Sequence, residues 1–405
     1  MSKFLCTTFI TLLIILVHST GVESQNELAI QALDWSPSNK TLAVGYQGGI
    51  VKVFDVTSGE RLWTHQFSDL IVSLKWHPTN PDQLAIAGGN PAQVEGLVQI
   101  IDVATNKILL TLDGGDAISS MSWSPDGAKL VAASNRMASV TDRNELRIWD
   151  TTTGQVLNTI APVSLGIINA VSWSPNGNEI AGVTSDYLVV IWDANTGDVL
   201  HVLQGHSASI LSVAWNYDGS MLASTSFGLD NTLRIWDVVS GQSLTTFPTN
   251  FAGDVVWNPV KNEIALAEAQ GVRLFDVTTG DELAAFPANG LQRAVAYTAY
   301  GGRLAFGGEP SSNVEVAIQD VGETIARTLS DGAVQIVVPA PSLERLQAIA
   351  DACNAPAAVE RVLPASAAAG QLSEFVSRVE ALPENTIPPA CAADLIAVAE
   401  ALQSR

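Results

Sequence analysis

The chain has 405 residues, 20 basic and 41 acidic, for a formal net charge of −21, and 47% of its residues are hydrophobic. That apolar share excludes global disorder. The acidity excludes a general nucleic-acid binder and adhesion to anionic lipid, both of which need a basic face.

The chain opens with Lys3, the apolar run Phe4 to Val17 and a short, small, polar stretch from His18 to Ser24. Charge, apolar core and small residues in that order predict a secretory signal peptide over residues 1–24, cut near Gly21 to Ser24. Fourteen apolar residues are too few for a comfortable membrane span, so no membrane insertion is expected after removal. The predicted location is therefore extracytoplasmic: secreted, periplasmic or in the cell envelope. Removal would leave Cys353 and Cys391 as an even pair, which reads as one disulfide in an oxidising compartment, with two buried thiols as the alternative.

From residue 25 to 330 a repeat of about forty residues organises the chain. An aromatic closes an apolar strand at Trp35, Trp76, Trp123, Trp173, Trp215, Trp257 and Tyr297. A second marker ends another strand at Asp55, Asp102, Asp150, Asp193, Asp237, Asp276 and Asp320. In the first six units Gly59, Asn106, Gly154, Gly197, Gly241 or Gly280 follows four residues later, where a tight turn needs positive φ. Apolar and small polar residues alternate with period two, so each unit is read as four short strands, a to d. One such sheet cannot bury both faces, but seven stacked in a ring can.

These residues resemble the WD-repeat family of β-propellers from Glu27 to Leu329. The fifth unit, LQGHSASILSVAWNYDGSMLASTSFGLDNTLRIWD, carries the resemblance best. The resemblance implies a structural hydrogen-bond network there: His206 links Asp230 to Ser224, and Ser224 accepts the Trp236 indole N–H. The other six units lack that His and are expected to rely on apolar packing. The seventh unit is expected to build its own strand d around Thr324 to Leu329, so that units 1 and 7 meet by side-chain packing, with help from Val334 to Val338.

Residues 331–341 read as a linker. Beyond them, residues 342–405 turn Ala-rich with helical stripes such as Leu372, Phe375, Val376, Val379 and Leu382, punctuated by prolines. The predicted architecture is an all-β, seven-bladed propeller followed by a small all-α bundle, stapled by Cys353 and Cys391.

Spacing also locates a variable face. The distance from the first apolar residue of strand b to the strand-c Asp runs from 12 to 20 residues, while the other connections barely vary. All b–c loops of a propeller leave on one face, with the d–a loops. The longest are Gly88 to Gly96 and Ser134 to Glu145. Arg136, Met137 and Arg143 of the second, with Tyr187, Phe227 and Leu229 of the next two units, form the expected protein-binding patch.

Catalytic patterns are missing from the sequence. His65, His77, His201 and His206 lie in different units and form no metal-binding pair. Strand-a residues, which line a propeller channel, are mainly Ala, Ile, Val, Ser and Leu. The expectation is a non-catalytic protein-interaction platform with no cofactor and no metal. The rival readings are a hydrolase or lyase at the channel mouth and a structural subunit of a cell-envelope assembly.

Overall fold

The computed structural model describes residues 29–56, 58–67, 70–90, 95–115, 117–135, 144–163, 166–288, 290–299, 301–311, 314–320 and 326–328, with Phe375–Ser377, Val379 and Ile396 from the tail. Among the described residues, 28 strands form seven four-stranded antiparallel sheets, each from four consecutive strands. Sheets 1 to 7 span residues 30–66, 70–115, 117–160, 168–204, 210–248, 254–287 and 292–328.

The strands differ in burial, and that difference sets the architecture. Strand b is buried almost throughout, as in Met221–Ser226. Strand d is mostly exposed, as in Ser243–Pro248. Strand a of each sheet packs against strand a of the next, and Ile30–Trp35 packs against Gln292–Tyr297. The first strands therefore form an inner ring and the fourth strands the rim.

Among the described residues, seven apolar clusters fill the spaces between neighbouring sheets. One joins Leu33, Trp35 and Phe54 of sheet 1 to Ala294, Ala296 and Ala305 of sheet 7. The other six join consecutive sheets, as where Ile191 and Leu203 meet Trp215 and Trp236. Each fully buried aliphatic side chain contributes about 1.5–3 kcal/mol. The core is therefore spread around the ring rather than centred in one place.

Five strand-a tryptophans fasten their sheet to the one before it, whereas the Trp173 indole N–H donates to Gly177 O in its own a–b turn. The Trp76 indole N–H donates to Asp34 O, Trp123 to Lys75 O, Trp215 to Ser172 O and Trp257 to Ala214 O, all at 3.0–3.1 Å. In every case the acceptor is the residue before the preceding sheet's own aromatic. Trp35 donates to Ala296 O at 3.1 Å, and Ala296 precedes Tyr297. Sheet 1 thus meets sheet 7 by the same contact that joins consecutive sheets. Strand d of sheet 7 is Ala326–Thr328, drawn from its own unit.

The turns explain the constant spacings. In five a–b turns the residue after the aromatic accepts the N–H of a residue five positions on: Ser36 from Thr41, Ser124 from Lys129, Ser174 from Glu179, Asn216 from Met221 and Thr298 from Arg303. At the c–d turns Gly154, Gly197 and Gly241 have φ of 74–78° or 68° and return an N–H to the strand-c Asp carbonyl. The Asp carboxylates cap those same turns, as Asp193 does for the Asn195 and Thr196 N–H groups.

The described ends of the two expected loops are strand, and residues 91–94 and 136–143 lie outside the described residues. In sheet 2 the hairpin continues through Gly88↔Leu97, Gly89↔Gly96 and Asn90↔Glu95. In sheet 3 Ser134 pairs with Glu145. Extra length in the b–c segment can lengthen a hairpin as easily as it lengthens a loop, and spacing alone does not distinguish the two. In the tail, the described residues are helical, and Phe375 and Val379, one turn apart, are buried. The rest of residues 342–405, Cys353 and Cys391 included, lies outside the described residues, as do residues 1–28 and Val334 to Val338.

Candidate functional site

The b–c and d–a connections lie together at one end of the ring: Phe227 N–H donates to Ser209 O, and Ser185 N–H to Ile167 O. On this face sheets 4 and 5 present Tyr187, Phe227 and Leu229. Tyr187 sits in the b–c turn of sheet 4 at φ 75° and is 41% exposed. A bulky residue in the left-handed region is strained. Leu229 is fully exposed at the tip of the sheet 5 loop, next to Gly228 at φ 86°.

Phe251, in the d–a loop after sheet 5, completes the patch and was not among the predicted residues. It is 44% exposed at φ 56°, and its ring lies 5.6 Å from Phe227 at 59°. The d–a loops vary little in length, so the spacing argument gave no reason to look there. Beyond Phe251, Arg273 pairs with both oxygens of Glu268 at 2.6 Å and lies 4.9 Å from the Phe275 ring. Arg136, Met137 and Arg143 lie outside the described residues.

The loop carrying Phe227 and Leu229 is anchored by a buried chain of polar groups. Trp236 Nε1–H donates to Ser224 Oγ at 2.8 Å, and Ser224 Oγ lies 2.8 Å from His206 Nε2. His206 Nδ1 lies 2.7 Å from Asp230 Oδ2, which also accepts the Ser207 N–H. Asp230 Oδ1 accepts from Thr232 Oγ1 at 2.8 Å. Burial pushes the His206 pKa down against the pull of Asp230, so the ring is neutral. Its Nδ1–H then donates to Asp230 while Nε2 accepts from Ser224, the only assignment that satisfies every neighbour. Burial raises the Asp230 carboxyl, but the Ser207 N–H, His206, Thr232 and Ser226 outweigh it and hold it at about 2. The network ties strand c of sheet 5 to both the d–a and b–c loops and so fixes the stalk of the patch.

Sheet 4 shows the same position without the network. Gly182 stands where sheet 5 has Ser224, and an added Cβ would come within 2.8 Å of the Trp192 ring. Trp192 Nε1 has no hydrogen-bond partner.

The inner ring is more polar than the sequence suggested. Asp34, Lys75 and Asp254 lie on strands a. Asp34 accepts the Trp76 N–H at 2.8 Å and sits 3.9 Å from Lys75 Nζ. Asp254 accepts from Ser212 Oγ at 2.8 Å and from the Val295 N–H at 3.3 Å. Burial raises both carboxyls, against the charge of Lys75. Ser120 and Ser122 accept the Val171 and Trp173 N–H groups in the same way. Strand a is the inner edge of its sheet, and these side chains occupy the edge N–H groups of the next sheet. Among the described residues, no three His, Cys, Asp or Glu side chains are placed to hold a metal ion.

A ring of radially stacked four-stranded sheets fastened by inner tryptophans defines a β-propeller. The description "WD domain, G-beta repeat" matches residues 106–150, 155–193 and 197–237, and "Anaphase-promoting complex subunit 4 WD40 domain" matches residues 16–79. The chain therefore carries WD40 repeats. The first three matches each start near strand d of one sheet and end at the strand-c Asp of the next, so one sequence repeat bridges two sheets.

Curated relatives match over 65 residues, 16% of this chain. A chromatin assembly factor 1 subunit of Mus musculus is 35% identical over 11% of its length. Protein HIR1 of Cryptococcus neoformans var. neoformans serotype D is 40% identical over 7%, and the chromatin assembly factor 1 subunit of Gallus gallus is 35% identical over 11%. The chain spans about a tenth of the length of these relatives or less.

These relatives overturn the predicted extracytoplasmic location, because a chromatin assembly factor works on chromatin, inside the cell. The WD40 match starting at residue 16 also runs across the predicted cleavage site. A short apolar run fits a buried strand or helix segment as well as a signal core, and periodicity does not separate them. The disulfide reading and the envelope-assembly reading both rested on export and lose that support.

Proposed function

We propose that the chain is a seven-bladed, non-catalytic interaction platform whose b–c and d–a face binds a protein partner through Tyr187, Phe227, Leu229 and Phe251. The observation that carries this reading is the pair of aromatic side chains on left-handed backbone, Tyr187 and Phe251, on the face where Leu229 is fully exposed. Aromatic anchors with few rotatable bonds lose little entropy on binding and dominate interface energies. The proposal extends across sheet 3 to Arg136, Met137 and Arg143. WD40 propellers generally bind proteins, and relatives named as parts of a chromatin assembly factor fit a scaffold in a larger assembly.

The test is affinity capture with wild-type protein and with Tyr187→Ser, Leu229→Ser and Phe251→Ser combined. The variant loses the captured partner while its melting temperature stays within about 2 °C, as expected for exposed positions. Full retention of the partner refutes this site.

A further inference from the structure

The rim holds a second exposed apolar surface, distinct from the loop face. In sheets 1 to 6 the residue seven positions after the strand-c Asp is leucine: Leu62, Leu109, Leu157, Leu200, Leu244 and Leu283. All six are 43–56% exposed. Each falls in the register shift between strands c and d, as where Trp149 pairs with Val156 and Ile148 with Asn158, so Leu157 is the extra residue of a bulge. Bulges bend an edge strand and re-aim its side chains.

The position before that leucine divides the ring. Sheets 1, 5 and 6 place Arg61, Ser243 and Glu282 there, polar residues of the kind that protect an open edge. Sheets 2, 3 and 4 place Ile108, Val156 and Val199, each 42–52% exposed. Neighbouring rims touch: an added Cβ at Gly154 would lie 3.4 Å from Leu110 and Leu112, and one at Gly197 3.0 Å from Ile160. Three adjacent sheets therefore share one apolar strip of paired aliphatic side chains.

Charge selects what covers it. The rim segments 102–115, 150–160 and 193–204 carry Asp102, Asp113, Asp150, Asp193 and Asp198 against a single cation, Lys107. The whole chain is at −21, so a second copy or an anionic lipid surface is repelled. The tail 342–405, with eight acidic and four basic residues, carries the same sign of charge as the strip. We infer that the outer edge of sheets 2 to 4 is a docking strip for a basic amphipathic segment of a protein partner, apolar residues on the Ile108, Val156 and Val199 pairs and cations over the turn aspartates. This surface is independent of the loop-face reading.

The probe is a labelled synthetic 18-residue amphipathic helix of Leu and Lys, read by fluorescence anisotropy against the full chain. The variant is Ile108→Ser, Val156→Ser and Val199→Ser together, since Ser243 shows that the fold accepts serine at this position. Binding weakens at least tenfold in this variant, with the melting temperature unchanged, while Leu62→Ser with Leu283→Ser binds as wild type. The inference is overturned if the triple variant binds equally, if the control variant loses as much, or if a Leu and Glu helix binds as tightly. Concentration-dependent dimerisation that the triple variant abolishes would assign the strip to a second copy and also overturn it.

Discussion

Replacing Asp230 by Asn tests whether the polar chain of sheet 5 holds the patch in place. The carboxylate is 5% exposed and accepts from His206, Ser207 and Thr232. Asn keeps the shape and removes the charge. Asp230 titrates at about 2 against a reference of 3.8. That depression is worth about 2 kcal/mol of folding stability. Because the folded pKa is depressed, that contribution is present above pH 3.8 and is lost as pH falls towards 2. Urea unfolding followed by tryptophan fluorescence should therefore show Asp230→Asn about 2 kcal/mol less stable between pH 7 and 5, with m unchanged. The gap should shrink to about half near pH 3 and close only below about pH 2. A gap under about 0.5 kcal/mol, or one that stays constant from pH 5 to 2.5, would refute the assignment of a charged, hydrogen-bonded carboxylate.

Trp35→Phe removes the indole bond to Ala296 and should cost about 1 kcal/mol, with faster amide exchange concentrated in sheets 1 and 7; even loss around the ring would contradict closure by that contact. Gly88→Ala places a Cβ 1.8 Å from Leu70 O, so about 3 kcal/mol or more is expected in denaturant titration, against under about 1 kcal/mol for Gly228→Ala, where the space is open and only backbone strain acts. Asp254 is raised by burial, so its ionisation opposes folding above its pKa and the penalty disappears as pH falls towards 3.8. Asp254→Asn should therefore be neutral or stabilising at pH 7 in thermal melts, and a loss above about 1 kcal/mol would show that the charge itself is needed.

The repeat was readable because each unit must solve the same packing problem. Trp35 to Tyr297 and Asp55 to Asp320 mark strand ends where a buried ring and a capped turn leave few alternatives. The polar chain of His206, Ser224, Asp230 and Trp236 came from resemblance, and its geometry follows once those residues share a sheet. Phe251 was missed because its loop has ordinary length, and only its φ and exposure reveal it. Gly88 to Gly96 misled because length does not say whether extra residues pair. Asp34 and Asp254 looked unremarkable as single residues, and their role appears only when the next sheet's edge N–H groups are in place.

The most direct test places a photo-crosslinking phenylalanine analogue at Leu229 and, separately, at Tyr217, which is exposed on the opposite, a–b side of sheet 5. Irradiation in cells should yield a discrete crosslinked protein from position 229 and none from position 217. Equal crosslinking from both positions, or none from 229 where 217 reacts, would contradict a partner seated on the b–c and d–a face.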